Sequence, residues 1–245
     1  MLVLLPPSET KRDGGSGAAL DLGALSFPAL TDARATALAA VADLSRDLDA
    51  AVTALKLGPA SAGEAARNRE LATAPTMAAI DRYDGVLYDE LDAASLPAEA
   101  RAFAGEHVAI ASALFGLTGA LDPIPAYRLS HDSRLPGTPL KKLWRVPLSG
   151  VLAARGGLVL DLRSEGYAGL GAAPDDAAYV RVVSEGPDGN RRALNHFNKK
   201  GKGAFTRRLL LAGIDHPDVP SLLEWARAEG IRLEPGAPGE LDLVV

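Results

Sequence analysis

The chain contains no cysteine. Disulfide scaffolds, zinc ribbons, thiolate nucleophiles and Cys-ligated iron–sulfur clusters are therefore excluded, and thiol redox sensing with them. Histidine is scarce. His107, His131, His196 and His216 include no i, i+4 pair and no H-E-x-x-H arrangement. Aromatic residues make up only 5%, while alanine, leucine, glycine and proline are abundant. That is a GC-rich coding bias, in which single Ala and Arg positions carry little functional information. No apolar run approaches the roughly 20 residues that span a bilayer. The opening MLVLLPPSETKR lacks a basic region ahead of its apolar run, which stops at Pro6. The expectation is a soluble, cytoplasmic chain with no membrane partner, and nothing marks an obligate protein partner.

Several chemical signatures are also missing. There is no P-loop, no Rossmann glycine fingerprint and no G-x-S-x-G elbow around Ser164. The carboxylates form no distinctive pair, and their scatter supports no metal site. No cofactor and no metal are expected.

What is present suits a folded chain. Its 245 residues are 47% hydrophobic and 23% charged, enough for a sizeable core. Met1–Leu5 reads as a buried strand ended by Pro6-Pro7, opening into the polar loop Ser8–Gly17. Ala35, Leu38, Val41, Leu44, Leu48, Val52 and Leu55 recur at helical spacing after Thr31-Asp32 and predict one helix to Gly58-Pro59. A second helix is predicted over Ser61–Thr73, so the pair loosely resembles a helix-hairpin-helix element. Buried strands are expected at His107–Leu117 and Leu158–Leu162, a helix at Leu140–Ala154, and a strand at Tyr179–Val183. Pro187-Asp188-Gly189-Asn190 signals a hairpin turn returning through Arg191–Phe197. Helices over Ala204–Ala212 and Val219–Glu229 and two short strands near Ile231 and Leu241 close the chain. The order of elements predicts an α+β fold, a single compact domain over residues 1–245 around a mixed central sheet, with a cleft in it.

Net charge is −5, so anion binding has to come from local charge. The stretch Asn190–Gly213 holds Arg191, Arg192, Lys199, Lys200, Lys202, Arg207 and Arg208 and no acidic residue. Gly201 and Gly203 flank Lys202 before the predicted helix start, where backbone N–H groups would point at an anion. Lys200 and Arg207, seven residues apart, would share a face if the helix ran back that far. Phe197 could stack on a base or sugar. The plainer alternative is a solvated basic face beside the apolar stripe of Phe205, Leu209 and Leu210. A second basic stretch holds Arg134, Lys141, Lys142, Arg145 and Arg155. Just upstream, Arg128 offers a planar fork for phosphate and Tyr127 a hydroxyl donor; alternatively, the two hold a loop against the domain. Ser164, Glu165 and Tyr167 follow a buried strand and mark a polar site.

These features together resemble the YaaA family of bacterial peroxide-stress proteins. The resemblance runs through the PPSETK loop, Ser112-x-Leu114-Phe115-Gly116, Leu121-Asp122, Tyr127-Arg128-Leu129, Trp144, Ser164-Glu165-x-Tyr167, and Phe197, Lys199, Lys200, Gly203 and Arg207. It implies a compact α+β fold with a positively charged cleft and a helix-hairpin-helix-like element. It also implies binding of double-stranded DNA and protection against hydrogen peroxide through lower free iron. Carried onto this sequence, the phosphate-binding residues would be Tyr127, Arg128, Ser164, Lys199, Lys200 and Arg207, to which the basic residues Lys11 and Lys202 are added. The chain departs from better-known members in its first loop, PPSETKR where they carry S-P-A-K-T, and in the Ala-rich Ala50–Arg69 region. The competing reading is an enzyme acting on a small phosphorylated or nucleotide substrate, with a lysine of lowered pKa as base or nucleophile.

Overall fold

A computed structural model describes residues 1–186, 191–193 and 197–245. The predicted turn at Pro187–Asn190 and the stacking role of the Phe197 side chain lie outside the described residues.

The apolar N-terminal run forms β1 (Leu2–Leu5), buried along its whole length. Such a continuous run is what a strand covered on both faces requires. The chain then makes α1 (Thr31–Leu44) and α2 (Leu48–Ala54). One continuous helix was expected here. Instead Asp47 adopts extended backbone and its carboxylate accepts from the N–H groups of Asp49 and Ala50, both at 3.0 Å. A new N-cap thus restarts the helix. The predicted second helix is a series of 3-10 turns over Pro59–Arg69. Arg69 of this strap donates to the carbonyl oxygen of Ser45, and Asn68 exchanges two hydrogen bonds with the Arg128 backbone. The helix-hairpin-helix-like expectation is corrected accordingly, since its second arm is not α-helical.

After β2 (Met77–Ala78), α3 (Ala79–Arg82), α4 (Val86–Leu91) and α5 (Ala98–His107), the hairpin of β3 (Val108–Ser112) and β4 (Gly116–Gly119) forms. Its turn explains the Ser-x-Leu-Phe-Gly run. Ser112 Oγ accepts from the N–H groups of Leu114 and Phe115 at 3.2 and 3.0 Å. Gly116 has φ +75°, and a Cβ there would meet the Trp144 ring at 2.7 Å, so only glycine fits. Trp144 in turn donates from Nε1 to the carbonyl oxygen of Ala113 at 2.8 Å. The chain continues through β5 (Pro123–Ile124), α6 (Leu140–Arg155), β6 (Val159–Asp161), α7 (Glu165–Ala168), β7 (Ala178–Glu185) and β8 (Arg191–Ala193). It ends with α8 (Phe197–Ala212), α9 (Val219–Ala228), β9 (Leu233–Pro235) and β10 (Glu240–Val244).

The central sheet has eight strands in the order β4-β3-β1-β6-β7-β10-β9, with β8 paired to β7. Strands β3, β1, β6, β7 and β10 run parallel, and β4, β8 and β9 antiparallel. The sheet is mixed, as the α+β expectation required. Having gone from β1 to β3 on one side, the chain returns past β1 to lay β6 on the other. The loops leaving the carboxyl ends of β1 and β6 therefore diverge to opposite sides, and a crevice opens between them. Strand β7 continues beyond the end of β6 and walls that crevice.

Among the described residues no helix is long and apolar enough to cross a membrane.

Candidate functional site

A cavity of about 550 Å³ occupies this crevice. Pro6, Pro7 and Glu9 after β1 line one side, and Ser164 to Tyr167 after β6 another. Tyr179 and Arg181 of β7 face it, alternating with the buried Val180 and Val182. Asn198, Lys199 and Lys202 come from the first turns of α8, and His131 from the loop before α6. A second hollow of about 240 Å³ lies across the Pro6–Glu9 loop, and Lys199 borders both.

The turn after β6 is held rigidly. Arg163 and Asp161 form a buried pair, with Nη2 to Oδ2 at 2.7 Å and Nε to Oδ1 at 2.9 Å. Arg163 Nη1 donates to the carbonyl oxygen of Gly171 at 3.0 Å. This fixes the carbonyls of Leu162 and Arg163, which accept from Lys202 Nζ at 2.8 and 3.4 Å. Lys202 is buried, and desolvation lowers its pKa to about 8. Ser164 is exposed in the cleft wall, and its hydroxyl makes no cap bond to α7. Asn198 Oδ1 is buried without a hydrogen-bond partner among the described residues. Lys199 is exposed and joins no ion pair among the described residues.

The lining carries both signs. Arg181, Lys199 and Lys202 stand against Glu9 and Glu165, and Arg181 is already bonded to Glu240 at 2.6 Å and to Glu165 at 3.4 Å. Among the described residues, the uncommitted positive charge at the surface of the cleft is Lys199.

Of the eight residues singled out from the sequence, Ser164, Lys199 and Lys202 meet here. The other five do not line the cleft, and each has a physical reason. Lys11 is buried, its ammonium 4.3 Å from the Tyr127 ring centre and 5.5 Å from that of Tyr83, and it donates to the carbonyl oxygens of Ser8 and Glu9. Desolvation lowers its pKa to about 7. The Tyr127 hydroxyl is spent inside, on Ser112 Oγ and the Tyr83 hydroxyl, each at 2.8 Å. Arg128 is pinned between Glu64 at 3.2 Å and Glu9 at 3.5 Å. Lys200 pairs with Glu90 at 3.3 Å. Arg207 donates to the carbonyl oxygens of Leu91 and Asp92 and to Ser95 Oγ, all at 2.8 Å.

The glycine expectation is corrected too. Helix α8 starts at Phe197, well before the predicted Ala204. Gly201 and Gly203 lie inside the helix and serve packing. A Cβ on Gly203 would fall 2.2 Å from the Leu87 carbonyl oxygen, and one on Gly201 2.9 Å from a Val182 methyl. The same extension does place Lys200 and Arg207 on one helix, both turned toward the α4 end of the molecule. The second basic stretch is separate. Lys141, Lys142 and Arg145 are exposed on α6, outside the cleft lining.

Sequence reasoning missed His131, Tyr179, Arg181 and Asn198. The outward alternation of Tyr179 and Arg181 in AYVRVV was the available signal. Asn198 became part of the site only because the helix begins earlier than its glycines suggest.

The sequence profile described as "Peroxide stress protein YaaA" matches residues 1–235. The chain belongs to the YaaA peroxide stress protein family. A UPF0246 protein of Corynebacterium glutamicum (strain R) is 46% identical over 252 residues, covering 100% of both chains. One from Streptomyces coelicolor is 42% identical over 248 residues, covering 98% of this chain and 94% of its own. A more distant UPF0246 protein of Bacteroides thetaiotaomicron is 28% identical over 183 residues and 70% of each chain. The matched residues of the YaaA profile include every element that walls the cleft from β1 to α8.

Proposed function

We propose that this YaaA-family chain works in the cytoplasm and holds a phosphate-bearing nucleotide unit in the β1–β6 cleft, as part of double-stranded DNA or as a free ligand. Through that binding it helps limit iron-dependent oxidative damage. The observation that carries the reading is Lys199. An exposed ammonium borders both hollows, free of carboxylate partners among the described residues, in a chain whose other cations of this region are largely neutralised. Asn198 and Ser164 add uncommitted polar groups beside it. A volume of about 550 Å³ is in the range of small-ligand sites, roughly 300–1,000 Å³. The fit is to one nucleotide unit rather than to the width of a duplex, so DNA would present a strand end, a displaced nucleotide or its backbone edge.

The test is fluorescence anisotropy of a labelled short duplex and of a labelled mononucleotide over a salt series. Binding is expected to weaken steeply with salt, and Lys199→Ala is expected to lower the salt slope by about one. No binding of either ligand at low salt would overturn the reading. Binding of the mononucleotide alone would favour the alternative, an enzyme acting on a small phosphorylated or nucleotide substrate.

A further inference from the structure

Lys202 lines the cleft, and phosphate binding at the rim leaves its amine unused. Its amine is buried, lines the cavity and has no carboxylate in ion-pair range among the described residues. Its two acceptors are main-chain carbonyls, Leu162 at 2.8 Å and Arg163 at 3.4 Å. Neither acceptor is free to move. The Leu162 N–H is bound to the carbonyl oxygen of Leu4 at 2.9 Å, and the Arg163 side chain is clamped on Asp161. An amine nitrogen is tetrahedral. The side-chain carbon and two N–H bonds to these carbonyls take three directions. The fourth carries a proton in the ammonium and the lone pair in the free amine, and no acceptor among the described residues claims it. Burial brings the pKa to about 8, so roughly a tenth of the amine is uncharged at pH 7. Desolvated lysines so placed are nucleophiles toward carbonyl carbons.

We infer that Lys202 forms an imine with the open-chain aldehyde of a phosphate-bearing sugar held in the cleft. This rests on the cleft being a phosphate site, with Lys199 at its rim meeting the phosphate. The nitrogen lone pair adds to the aldehyde carbon. The carbonyl oxygen then leaves as water, carrying the two protons the amine gives up, and a carbon–nitrogen double bond remains. No oxidant or reductant is consumed. A free sugar phosphate and an abasic site in DNA offer this same chemistry, an aldehyde adjoining phosphate.

The experiment incubates the full chain with ribose 5-phosphate, or with a duplex carrying one abasic site, in the presence of cyanoborohydride. The reductant converts an imine to a stable secondary amine, which intact mass and peptide mapping locate. One adduct per chain is expected, on the peptide containing Lys202, lost in Lys202→Arg and reduced by excess inorganic phosphate. Mapping on the unsubstituted chain decides the matter even if the variant folds poorly. Absence of an adduct overturns the inference, as does labelling spread over exposed Lys141, Lys142 and Lys199 at the level of the denatured chain. Should inorganic phosphate raise the melting temperature while Lys202 stays unlabelled, the imine fails and the phosphate site stands. If neither occurs, both fail. An adduct with ribose 5-phosphate assigns the free sugar, and an adduct with the abasic duplex alone assigns DNA.

Discussion

Tyr179 and Lys202 share one acceptor, the carbonyl oxygen of Arg163, at 2.9 and 3.4 Å. The Tyr179 ring also lies 5.5 Å from the Lys202 ammonium. Tyr179→Phe removes one donor and leaves the carbonyl served by the lysine. Its expected cost is about 0.5–1.5 kcal/mol, because no buried group is orphaned. Urea denaturation checks this as a lower midpoint at unchanged slope. Tyr179→Ala, which also strips the ring from beside the amine, is expected to cost more.

Gly203 and Leu87 fix how closely α8 and α4 approach. Gly203→Ala is expected to destabilise the fold by about 1–3 kcal/mol, since the added methyl meets a backbone oxygen that cannot turn aside. Gly201→Ala meets the end of a valine side chain and is expected to cost less. Thermal unfolding of the two variants checks the order. Were these glycines an anion cradle, Gly203→Ala would weaken ligand binding and spare stability.

Arg207 and Lys200 tie the same two helices. Arg207 closes the carboxyl end of α4 by bonding the Leu91 and Asp92 carbonyl oxygens. Arg207→Ala is expected to lose about 1–3 kcal/mol of stability, as charged hydrogen bonds of this kind do. Nucleotide affinity, measured by anisotropy below the melting transition, is expected to stay unchanged.

Lys11 and Lys202 make stability depend on pH in a stated direction. Both amines have folded pKa values, about 7 and about 8, below the ordinary 10.5. Between those values and 10.5 the unfolded chain binds more protons than the folded one, so stability rises with pH across that window. The burial penalty is fully present below the folded pKa. Lys11→Met is expected to remove one proton's share of the slope, up to about 1.4 kcal/mol per pH unit. Chemical denaturation at several pH values from 7 to 10 checks it, and an unchanged slope would count against the lowered pKa.

Much of the fold was legible in the sequence because its signals are local. The apolar run of β1, its stop at Pro6-Pro7 and the apolar run of β6 all announce themselves within a few residues. Two expectations failed, one to a local cap and one to neighbouring structure. Asp47 cut the expected long helix by capping a new one. Gly201 and Gly203, read as an anion-approach segment ahead of a helix, sit within α8 because α4 and β7 leave room there for nothing larger. Charge was read least well, and the reason is physical. Sequence shows that a side chain is cationic but not what folding sets against it. Arg128 looked like a phosphate fork until Glu9 and Glu64, far from it in sequence, closed on it. Lys11 stood in a polar loop, yet its side chain is buried against Tyr83, which follows α3, and Tyr127, which follows β5. Ser164 was legible because the end of a buried parallel strand is where a doubly connected sheet exposes polar groups.

The most direct test of the cleft as the phosphate site is titration calorimetry of a mononucleotide into the unsubstituted chain, Lys199→Ala, and Lys141→Ala with Lys142→Ala. The account predicts that Lys199→Ala weakens binding about tenfold, a cost near 1.4 kcal/mol, and that the double variant on α6 binds as the unsubstituted chain does. Equal affinity in Lys199→Ala, with binding lost in the α6 variant, would contradict it.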